Sequence, residues 1–475
     1  MLRPNAARWL KPRYLLLTTL AISSLVAACS DDDDDDDVST GARAGHSAQG
    51  GDDEGGEPST GGTTGGIAGS SGSTSGGVGG VGGEPSVPGG ADNAGAAGEA
   101  TAGAAGAADG VDRDAFRPEE LPFDEAAFED LTLPAGFSIN VYRTGLGQAR
   151  MLGVHGEHVY VTQPMQGTVT QLVDEDADGV AEATRVVASD LPLVHGIAFH
   201  DDDVFLANVH SVYHGTVAAD GSFSALTEII DDLPDGGQHQ YRTLGVGPDE
   251  LLYISVGSDC DACDESNPEH ATMLRSTLSG QPAGTRNIFA RGLRNTIGFA
   301  WHPETEALWG MDQGSDWRGD DLPPEELNSI VSGRDYGWPY CYGNRQIDPV
   351  IQDPPSGSKA AYCVETTPPV LLNQAHQSPI GFAFYTADAF PERYQDGAFI
   401  AFRGSWNRKP ATGYRVAFVP YSDGEPQAIE DFVSGFLSDD GASTFGRPAG
   451  LAVAPDGALL FTDDTNGIVY RVEAD

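Results

Sequence analysis

The segment Gly446–Val472, GRPAGLAVAPDGALLFTDDTNGIVYRV, sets a pattern that the rest of the chain repeats. It contains three short apolar runs, separated by a turn at Pro455–Gly457 and by a polar corner. Short apolar runs between such turns are typical of antiparallel strands joined by tight hairpins. The segment therefore predicts part of a β-sheet.

Similar segments recur upstream, so that six copies begin at residues 150, 195, 242, 294, 376 and 447. Three of the intervals between starts measure 45 to 52 residues, the length of one propeller blade, and the longer intervals of 82 and 71 residues predict insertions. We therefore predict an all-β fold, a six-bladed β-propeller. Leu133–Gly145 reads as a lone strand, which we expect to complete the last blade opposite Ile468–Val472.

The residue that begins each repeat is basic. These six residues, called the basic ring below, are Arg150, His195, Arg242, Arg294, His376 and Arg447. In a propeller, the innermost strands all begin at one end of the central channel, here called the mouth. A ring of cations facing one axial point predicts a site for a polyanionic ligand. For any single position, a solvated cap on a strand end is the alternative.

The first 111 residues differ in composition from the remainder. Residues 1–29 have a basic start, an apolar stretch and small residues ending at Cys29, like a bacterial lipobox. We expect export and a lipid anchor at Cys29 in the cell envelope; a transmembrane anchor is the alternative, although the apolar stretch is short for one. Residues 30–111, with Asp31–Asp37 and many Gly and Ser residues, predict an acidic, disordered tether. Residues 112–475 form the predicted propeller domain.

Residues 112–475 are strongly acidic. They carry 21 basic and 56 acidic side chains, a net charge of −35. This balance argues against nucleic acid as a partner, because phosphate binding needs the opposite sign. Only Lys359 and Lys409 are lysines, so most basic groups are arginines, whose forked donors suit carboxylates.

Four cysteines follow Cys29, and an even count in an exported protein favours disulfides. We favour the pairs Cys260–Cys263 and Cys341–Cys363, although three connectivities are possible. The second pair is spaced too widely for an ordinary four-thiolate zinc site. The cysteines are therefore interpreted as structural.

The first repeat contains a candidate calcium loop. Asp174, Asp176 and Asp178 occupy its first, third and fifth positions, and a glycine follows at the sixth. Carboxylates at this spacing wrap oxygen ligands around Ca²⁺. The twelfth position is Arg185, which argues against a helical EF-hand, and Glu182 is the candidate replacement ligand. A simple Asp-Gly turn is the alternative.

Two further features suggest chemistry at the mouth. An imidazole at His195, next to an apolar strand, is expected to be partly desolvated and neutral at pH 7, which suits a general base. Tyr336 and Trp338 lie in a loop rich in Gly and Pro. Such aromatics either form a wall that stacks on a flat ligand or sugar ring, or pack beneath the loop.

Several motifs together resemble one family. They are Leu293–Thr296, Asp312–Gly314, Glu326–Asn328, Asp335–Pro339, Gly404–Arg408 and Gly446–Pro448. With them, residues 133–475 resemble the pyrroloquinoline quinone (PQQ)-dependent sugar dehydrogenases, and more narrowly the sorbosone dehydrogenase-like branch related to soluble glucose dehydrogenase.

The resemblance implies that PQQ lies over the mouth and coordinates Ca²⁺. It implies that His195 takes the proton of the sugar C1 hydroxyl while hydride passes to the quinone, and that Arg242 steadies the reduced quinone. The remaining cofactor-binding residues that it implies are Arg294, Asn295, Tyr336, Trp338, Arg447 and a fifth-blade cation that is either Arg403 or Arg408. Asp259 lies where the family has a calcium-binding loop, but the sequence departs there, so Asp259 is a further candidate ligand.

Three functions are weighed. The first is a membrane-tethered quinoprotein that oxidises an aldose or a related aldehyde and passes electrons to a separate cytochrome or quinone, since the sequence contains no Cys-x-x-Cys-His haem motif. The second is a calcium-dependent, lactonase-like hydrolase, which needs carboxylates and Asn rather than Arg and His at the mouth. The third is a non-catalytic propeller that binds a glycan or a protein.

Overall fold

A computed structural model describes residues 115–234, 237–280 and 286–475. The predicted signal peptide at 1–29 and the predicted tether at 30–111 lie outside these described residues. No helix among the described residues is both long enough and apolar enough to cross a bilayer.

The described domain consists mainly of short strands. It begins with β1 (Glu119–Glu120), the helix α1 (Glu125–Glu129) and β2 (Phe137–Arg143). The first blade has β3 (Leu152–His155), β4 (His158–Gln163), β5 (Thr168–Val173) and β6 (Ala183–Ala188). The second has β7 (Gly196–His200), β8 (Asp203–Ala207), β9 (Val212–Thr216) and β10 (Thr227–Ile230). The third has β11 (Thr243–Val246), β12 (Leu251–Val256), β13 (Thr272–Thr277) and β14 (Asn287–Arg291).

The fourth and fifth blades carry the predicted insertions. The fourth has β15 (Phe299–Trp301), β16 (Leu308–Asp312), β17 (Glu325–Ser329), an insertion with β18 (Cys341–Tyr342), β19 (Gln346–Ile347) and α2 (Lys359–Cys363), and then β20 (Leu371–Asn373). The fifth has β21 (Pro379–Phe384), a 3₁₀ turn (Glu392–Tyr394), β22 (Ala398–Phe402), β23 (Arg415–Val419), the hairpin β24 (Tyr421–Ser422) and β25 (Glu425–Pro426), and β26 (Glu430–Val433). After β27 (Ser443–Thr444), the sixth has β28 (Pro448–Val453), β29 (Leu459–Asp463) and β30 (Ile468–Ala474).

These strands form six four-stranded sheets within the described ranges, which confirms the predicted propeller. The innermost strands of the six blades are β3, β7, β11, β15, β21 and β28. Contacts join β11 to β7, β7 to β3, β3 to β28, β28 to β21 and β21 to β15 around the channel. Since consecutive strands of a blade are antiparallel, the connection from the second to the third strand lies at the mouth. The connection from the third to the fourth strand lies on the opposite face.

The sixth blade is completed by a strand from the start of the domain. β2 pairs antiparallel with β30, from Phe137 opposite Ala474 to Arg143 opposite Val469. The prediction that Leu133–Gly145 closes the ring is therefore confirmed. The Phe137 ring also packs edge-on against Phe390, with centroids 4.8 Å apart, which secures this strand to the fifth blade.

Both favoured disulfides are present. Cys260–Cys263 closes a tight loop between β12 and β13 at the mouth. Cys341–Cys363 closes the insertion of the fourth blade by joining β18 to α2. The prediction of structural staples is confirmed for both pairs.

Neighbouring innermost strands approach each other through glycine. A Cβ atom on Gly450 in β28 would overlap the backbone carbonyl oxygen of Arg150, at the start of the first blade. Glycine is therefore required where the sixth blade meets the first, because any side chain would push the two strands apart.

We expect Gly450→Ala to lower the free energy of unfolding by about 3 kcal/mol, since neither backbone can move without disturbing its own blade. The measurement is chemical denaturation of the purified protein. Ser138→Val, at an exposed position of β2 in the same blade, is the control and should change stability little. Equal stability of Gly450→Ala and the wild type would contradict the close approach.

Candidate active site

A loop of the fourth blade lies across the mouth, and basic residues hold it there. This loop, Gln313–Pro324, connects β16 to β17. Arg294 Nη2 lies 2.9 Å from Asp316 Oδ2, His376 Nε2 donates to the Gly319 carbonyl at 2.8 Å, and Arg408 Nε donates to the Asp320 carbonyl at 2.9 Å. Two members of the basic ring, Arg294 and His376, thus contact the protein's own loop, through the Asp316 carboxylate and the Gly319 carbonyl respectively. That the basic ring as a whole faces one axial point stays a prediction.

The loop is also joined to the third blade through Asp261, which lies between Cys260 and Cys263. Arg294 Nε donates to the Asp261 carbonyl at 2.9 Å, and the Asp316 N–H donates to Asp261 Oδ1 at 2.6 Å. The small disulfide loop thus positions an aspartate that holds two blades together.

Arg242 is buried, and its side chain donates hydrogen bonds to the backbone that precedes β11. Its Nη1 donates to the His239 carbonyl at 2.8 Å and its Nη2 to the Pro234 carbonyl at 3.1 Å. The backbone carbonyl of Arg242 lies 3.3 Å from His195 Nδ1. Arg242 therefore contacts the candidate base through its main chain.

His195 is fully buried at the mouth, with a side chain that packs on Tyr241 at a ring-centroid distance of 4.7 Å. Its Nε2 lies 3.3 Å from Arg150 Nε. Burial, followed by the charge of Arg150, holds the pKa of His195 well below its usual range. The imidazole is therefore neutral at pH 7, as a general base requires.

Next to His195 lies a group of three arginines, Arg150, Arg403 and Arg447, called the arginine cluster below. Arg403 Nε lies 2.7 Å from Asp464 Oδ2, and Arg150 Nη1 contacts the same oxygen. Arg447 Nη1 lies 3.0 Å from Glu120 Oε1. Three buried or half-buried cations thus share two carboxylates.

The charges in the arginine cluster are incompletely balanced. Burial and the neighbouring Arg403 lower the pKa of Arg447 to about 10. Burial alone would raise the pKa of Asp464, but Arg403 and Arg150 lower it to about 2, so this carboxylate is ionised. Excess positive charge in a poorly solvated position favours an additional anion.

The structure distinguishes the two candidate cations of the fifth blade. Arg447 Nε donates to the Arg403 carbonyl at 3.2 Å, so Arg403 belongs to the arginine cluster. Arg408 instead contacts Asp321 Oδ1 at 3.0 Å and the Asp320 carbonyl. The resemblance pointed first to Arg408 and left Arg403 as the alternative, because both arginines flank the same Gly-Ser-Trp turn.

Tyr336 packs beneath its loop rather than forming an open wall. It lies in a buried cluster with Leu293 and Ile330, and its hydroxyl donates to the Ser329 carbonyl at 2.5 Å. The interpretation of packing is therefore the better one for Tyr336.

The two other predicted contacts of this blade bind neighbouring groups at the mouth. Trp338 Nε1 donates to the Asp261 carbonyl at 3.3 Å, and Asn295 Nδ2 donates to Gln313 Oε1 at 3.0 Å. Asn295 therefore supports the fourth-blade loop directly, whereas Trp338 supports the third-blade disulfide loop that contains Asp261.

Sequence reasoning missed Asp464, Tyr241 and Glu120. Asp464 follows Asp463 at the end of β29, and the sequence shows only an acidic corner there. Asp463 accepts hydrogen bonds from backbone N–H groups, including that of Arg447 at 3.0 Å. Its neighbour Asp464 reaches the arginines instead. Glu120 lies in β1, which pairs with β27 and precedes the first repeat.

The predicted metal ligands separate into two places. Asp174, Asp176, Asp178 and Glu182 each offer an oxygen within 4.8 Å of the others. They lie between β5 and β6, the third and fourth strands of their blade, and hence on the face opposite the mouth. Asp259 lies between β12 and β13 at the mouth, where its N–H donates to Glu265 Oε1 at 2.8 Å. Asp259 therefore cannot share an ion with the other four.

We expect Ca²⁺ to bind the β5–β6 loop and so to raise the thermal midpoint of unfolding. A ligand that binds only the folded state stabilises that state by about 2.7 kcal/mol when its concentration is 100 times its Kd. The double variant Asp176→Asn with Asp178→Asn should lose this response. The matched control is Asp201→Asn with Asp202→Asn, an exposed acidic pair in the β7–β8 turn. A response that persists in the Asp176/Asp178 variant would contradict this site.

Comparisons with known proteins identify the family. A family model described as TrAA12-like matches residues 131–475. A Borreliella burgdorferi protein named only as uncharacterized is 29% identical over 60% of this chain and 77% of its own length. The Escherichia coli aldose sugar dehydrogenase YliI is 29% identical over 39% of this chain and 43% of its own length.

Solved structures share the fold. The holo PQQ domain of Coprinopsis cinerea pyranose dehydrogenase has a TM-score of 0.62 at 20% identity, over 72% of this chain and 97% of that domain. The calcium structure of a Trichoderma reesei family AA12 enzyme also has a TM-score of 0.62, at 21% identity over 73% of this chain and 97% of that one. The resemblance to sugar dehydrogenases is confirmed, and the chain belongs to the TrAA12-like family.

Proposed function

We propose that the propeller binds PQQ at its mouth and oxidises an aldose, or a related sugar aldehyde, at the C1 hydroxyl. The observation that carries this proposal is the neutral, buried His195 next to the arginine cluster. A base and a polyanion site in contact are what cofactor-dependent alcohol oxidation requires from the protein.

The residues fit the cofactor. PQQ is planar and carries three carboxylates, and arginine forks bind carboxylates in pairs of hydrogen bonds. The arginine cluster has only Asp464 and Glu120 as acidic partners in the contacts described above. Of these, Glu120 is half-exposed and lies on the short strand β1, so its carboxylate can be exchanged for that of a ligand. When bound, PQQ would supply the hydride acceptor.

The chain's own residues would handle the proton. His195 Nδ1 faces the Arg242 carbonyl, so the lone pair lies on Nε2. The sugar hydroxyl would displace the Arg150 N–H from Nε2 and then give its proton to this nitrogen. Arg150 lies next to Nε2 and would stabilise negative charge on the sugar oxygen as its O–H bond breaks. Burial of both groups strengthens this interaction, since water does not screen it.

The substrate class and the ion are inferred from the relatives. Two relatives are called aldose sugar dehydrogenase and PQQ-dependent pyranose dehydrogenase, which supports a cyclic sugar as the substrate class. The Trichoderma reesei neighbour is a calcium structure, which supports Ca²⁺ as the accompanying ion. Electrons would leave to a separate cytochrome or quinone carrier. The lactonase-like alternative loses support because Asp464, which is buried, and Asp316, which is half-buried, are paired with arginines.

We also propose that the protein is exported and held in the cell envelope by a lipid on Cys29, on the basis of the lipobox-like sequence at residues 1–29. Cells grown with labelled palmitate should incorporate the label into the wild type and into the control Ser30→Ala. Cys29→Ser should incorporate none. Label in the Cys29→Ser protein would reject the anchor.

Titration of the full chain with PQQ and Ca²⁺, followed by absorbance, tests the main proposal. We expect sugar-dependent reduction of the bound quinone. His195→Gln should retain binding but slow the reduction by about 10²- to 10⁴-fold, the usual contribution of a general base. Arg403→Met with Arg447→Met should weaken binding itself.

The control for binding is Lys409→Met, which removes an exposed cation outside the arginine cluster. It should bind PQQ as the wild type does. Absence of PQQ binding at micromolar concentrations would overturn the proposal and favour a non-catalytic propeller.

A further inference from the structure

His195, Arg150 and Asp464 form a linear chain of contacts at the junction of three blades. Asp464 contacts Arg150 Nη1, and Arg150 Nε lies 3.3 Å from His195 Nε2. On the other side of the imidazole, His195 Nδ1 lies 3.3 Å from the Arg242 carbonyl and 3.4 Å from Thr243 Oγ1. All of these side chains are buried.

The chain of contacts determines which nitrogen of His195 carries the proton. A guanidinium N–H can only donate, so Nε2 must accept and is therefore bare. A backbone carbonyl can only accept, so Nδ1 carries the proton. The neighbours thus select the Nδ1-protonated tautomer, in which the lone pair of Nε2 accepts from Arg150 and would accept from a substrate hydroxyl that displaces the Arg150 N–H.

Asp464 is the anchor of this arrangement. Its side chain is fully buried, and its Oδ2 is shared by Arg150 and by Arg403 at 2.7 Å. The charged groups that face His195 are Arg150, Arg242 and, behind Arg150, Asp464. Of these, only Asp464 is negative. It therefore compensates the positive charge that appears when Nε2 takes a proton next to Arg150.

We propose that Asp464 is a positioning residue that holds Arg150 against His195 and so sets the tautomer and the base strength of His195. The selection of the tautomer follows from the contacts of Arg150 and Arg242 with His195 alone. The effect on base strength during turnover rests on the proposed function. Asp464 does not contact the reacting atoms in this arrangement, since Arg150 lies between it and His195.

The first test measures the tautomer of His195 and needs no cofactor. The full chain, with both disulfides formed, is labelled with ¹⁵N-histidine, and two-bond ¹H–¹⁵N spectra are recorded. His195→Gln identifies the His195 signals among the 11 histidines of the sequence. We expect an Nδ1-protonated, neutral ring in the wild type. Arg150→Met, which removes the donor to Nε2, should shift the population toward the Nε2-protonated tautomer, and Asp464→Asn should shift it in the same direction.

Asp463→Asn is the matched control. Asp463 is an adjacent buried carboxylate, but its oxygens accept from the N–H groups of Arg447, Thr465 and Asn466 and touch no arginine side chain in these contacts. It should lose stability without changing the His195 tautomer. An Nε2-protonated ring in the wild type, or an Asp464→Asn spectrum that matches the Asp463→Asn spectrum, would overturn the proposal. If Asp464→Asn does not fold, Asp464→Glu, which keeps the charge but displaces the carboxylate relative to Arg150, replaces it in the same comparison.

The second test reads base strength during turnover. Asp464 raises the pKa of His195, opposing burial and Arg150. Its removal should therefore move the acidic limb of the kcat/KM profile to lower pH and lower the plateau by about 10- to 100-fold, the usual effect of an outer partner. A lower plateau with an unmoved acidic limb would reject the effect on base strength. Failure of PQQ binding would remove the proposed function but leave the tautomer result intact.

Discussion

The pairing of β2 with β30 is the constraint on which the rest of the structure depends. It makes the last blade continuous with the start of the domain, and so places the sixth blade next to the first. Arg150 and Asp464, 314 positions apart, come into contact only across that junction. Glycine at position 450 lets the two innermost strands approach closely enough for the contact to form. Ring closure thus creates the charge pair beside His195.

Buried charge is organised by a few acidic groups in a domain that is acidic overall. Asp261 and Asp316 contact Arg294 and fasten the fourth-blade loop across the mouth. Asp464 contacts two members of the arginine cluster. Burying an ion is costly unless a partner of opposite charge compensates it. Each arginine that is paired with a local carboxylate therefore has a structural role in the first place. The arginine cluster differs because three cations share two carboxylates, and this difference supports the proposal of an anionic ligand there.

The environment of His195 combines two opposing influences. Burial and Arg150 favour the neutral imidazole, which is the form that can accept a proton. Asp464 and the Arg242 carbonyl act in the other direction and preserve some basicity. A general base must be neutral and must still accept a proton, so it needs both the groups that lower its pKa and the groups that raise it. Complete desolvation alone would leave the imidazole too weak a base.

The sequence alone determined the six blades, the closing strand and the residues that begin each repeat, and it favoured the disulfide pairing that the structure then selected from three possibilities. These features depend on local information: hairpin turns, the spacing of apolar runs and the parity of cysteines. The tertiary structure decided the partner of each basic side chain. Arg403 rather than Arg408 joins Arg447, and the Asp174 loop lies on the face opposite Asp259, because both outcomes depend on strand direction and on contacts between distant blades. The role of Asp464 could not be predicted from the sequence, because its neighbour Asp463 is also an aspartate. Only packing against the first blade separates the roles of these two residues.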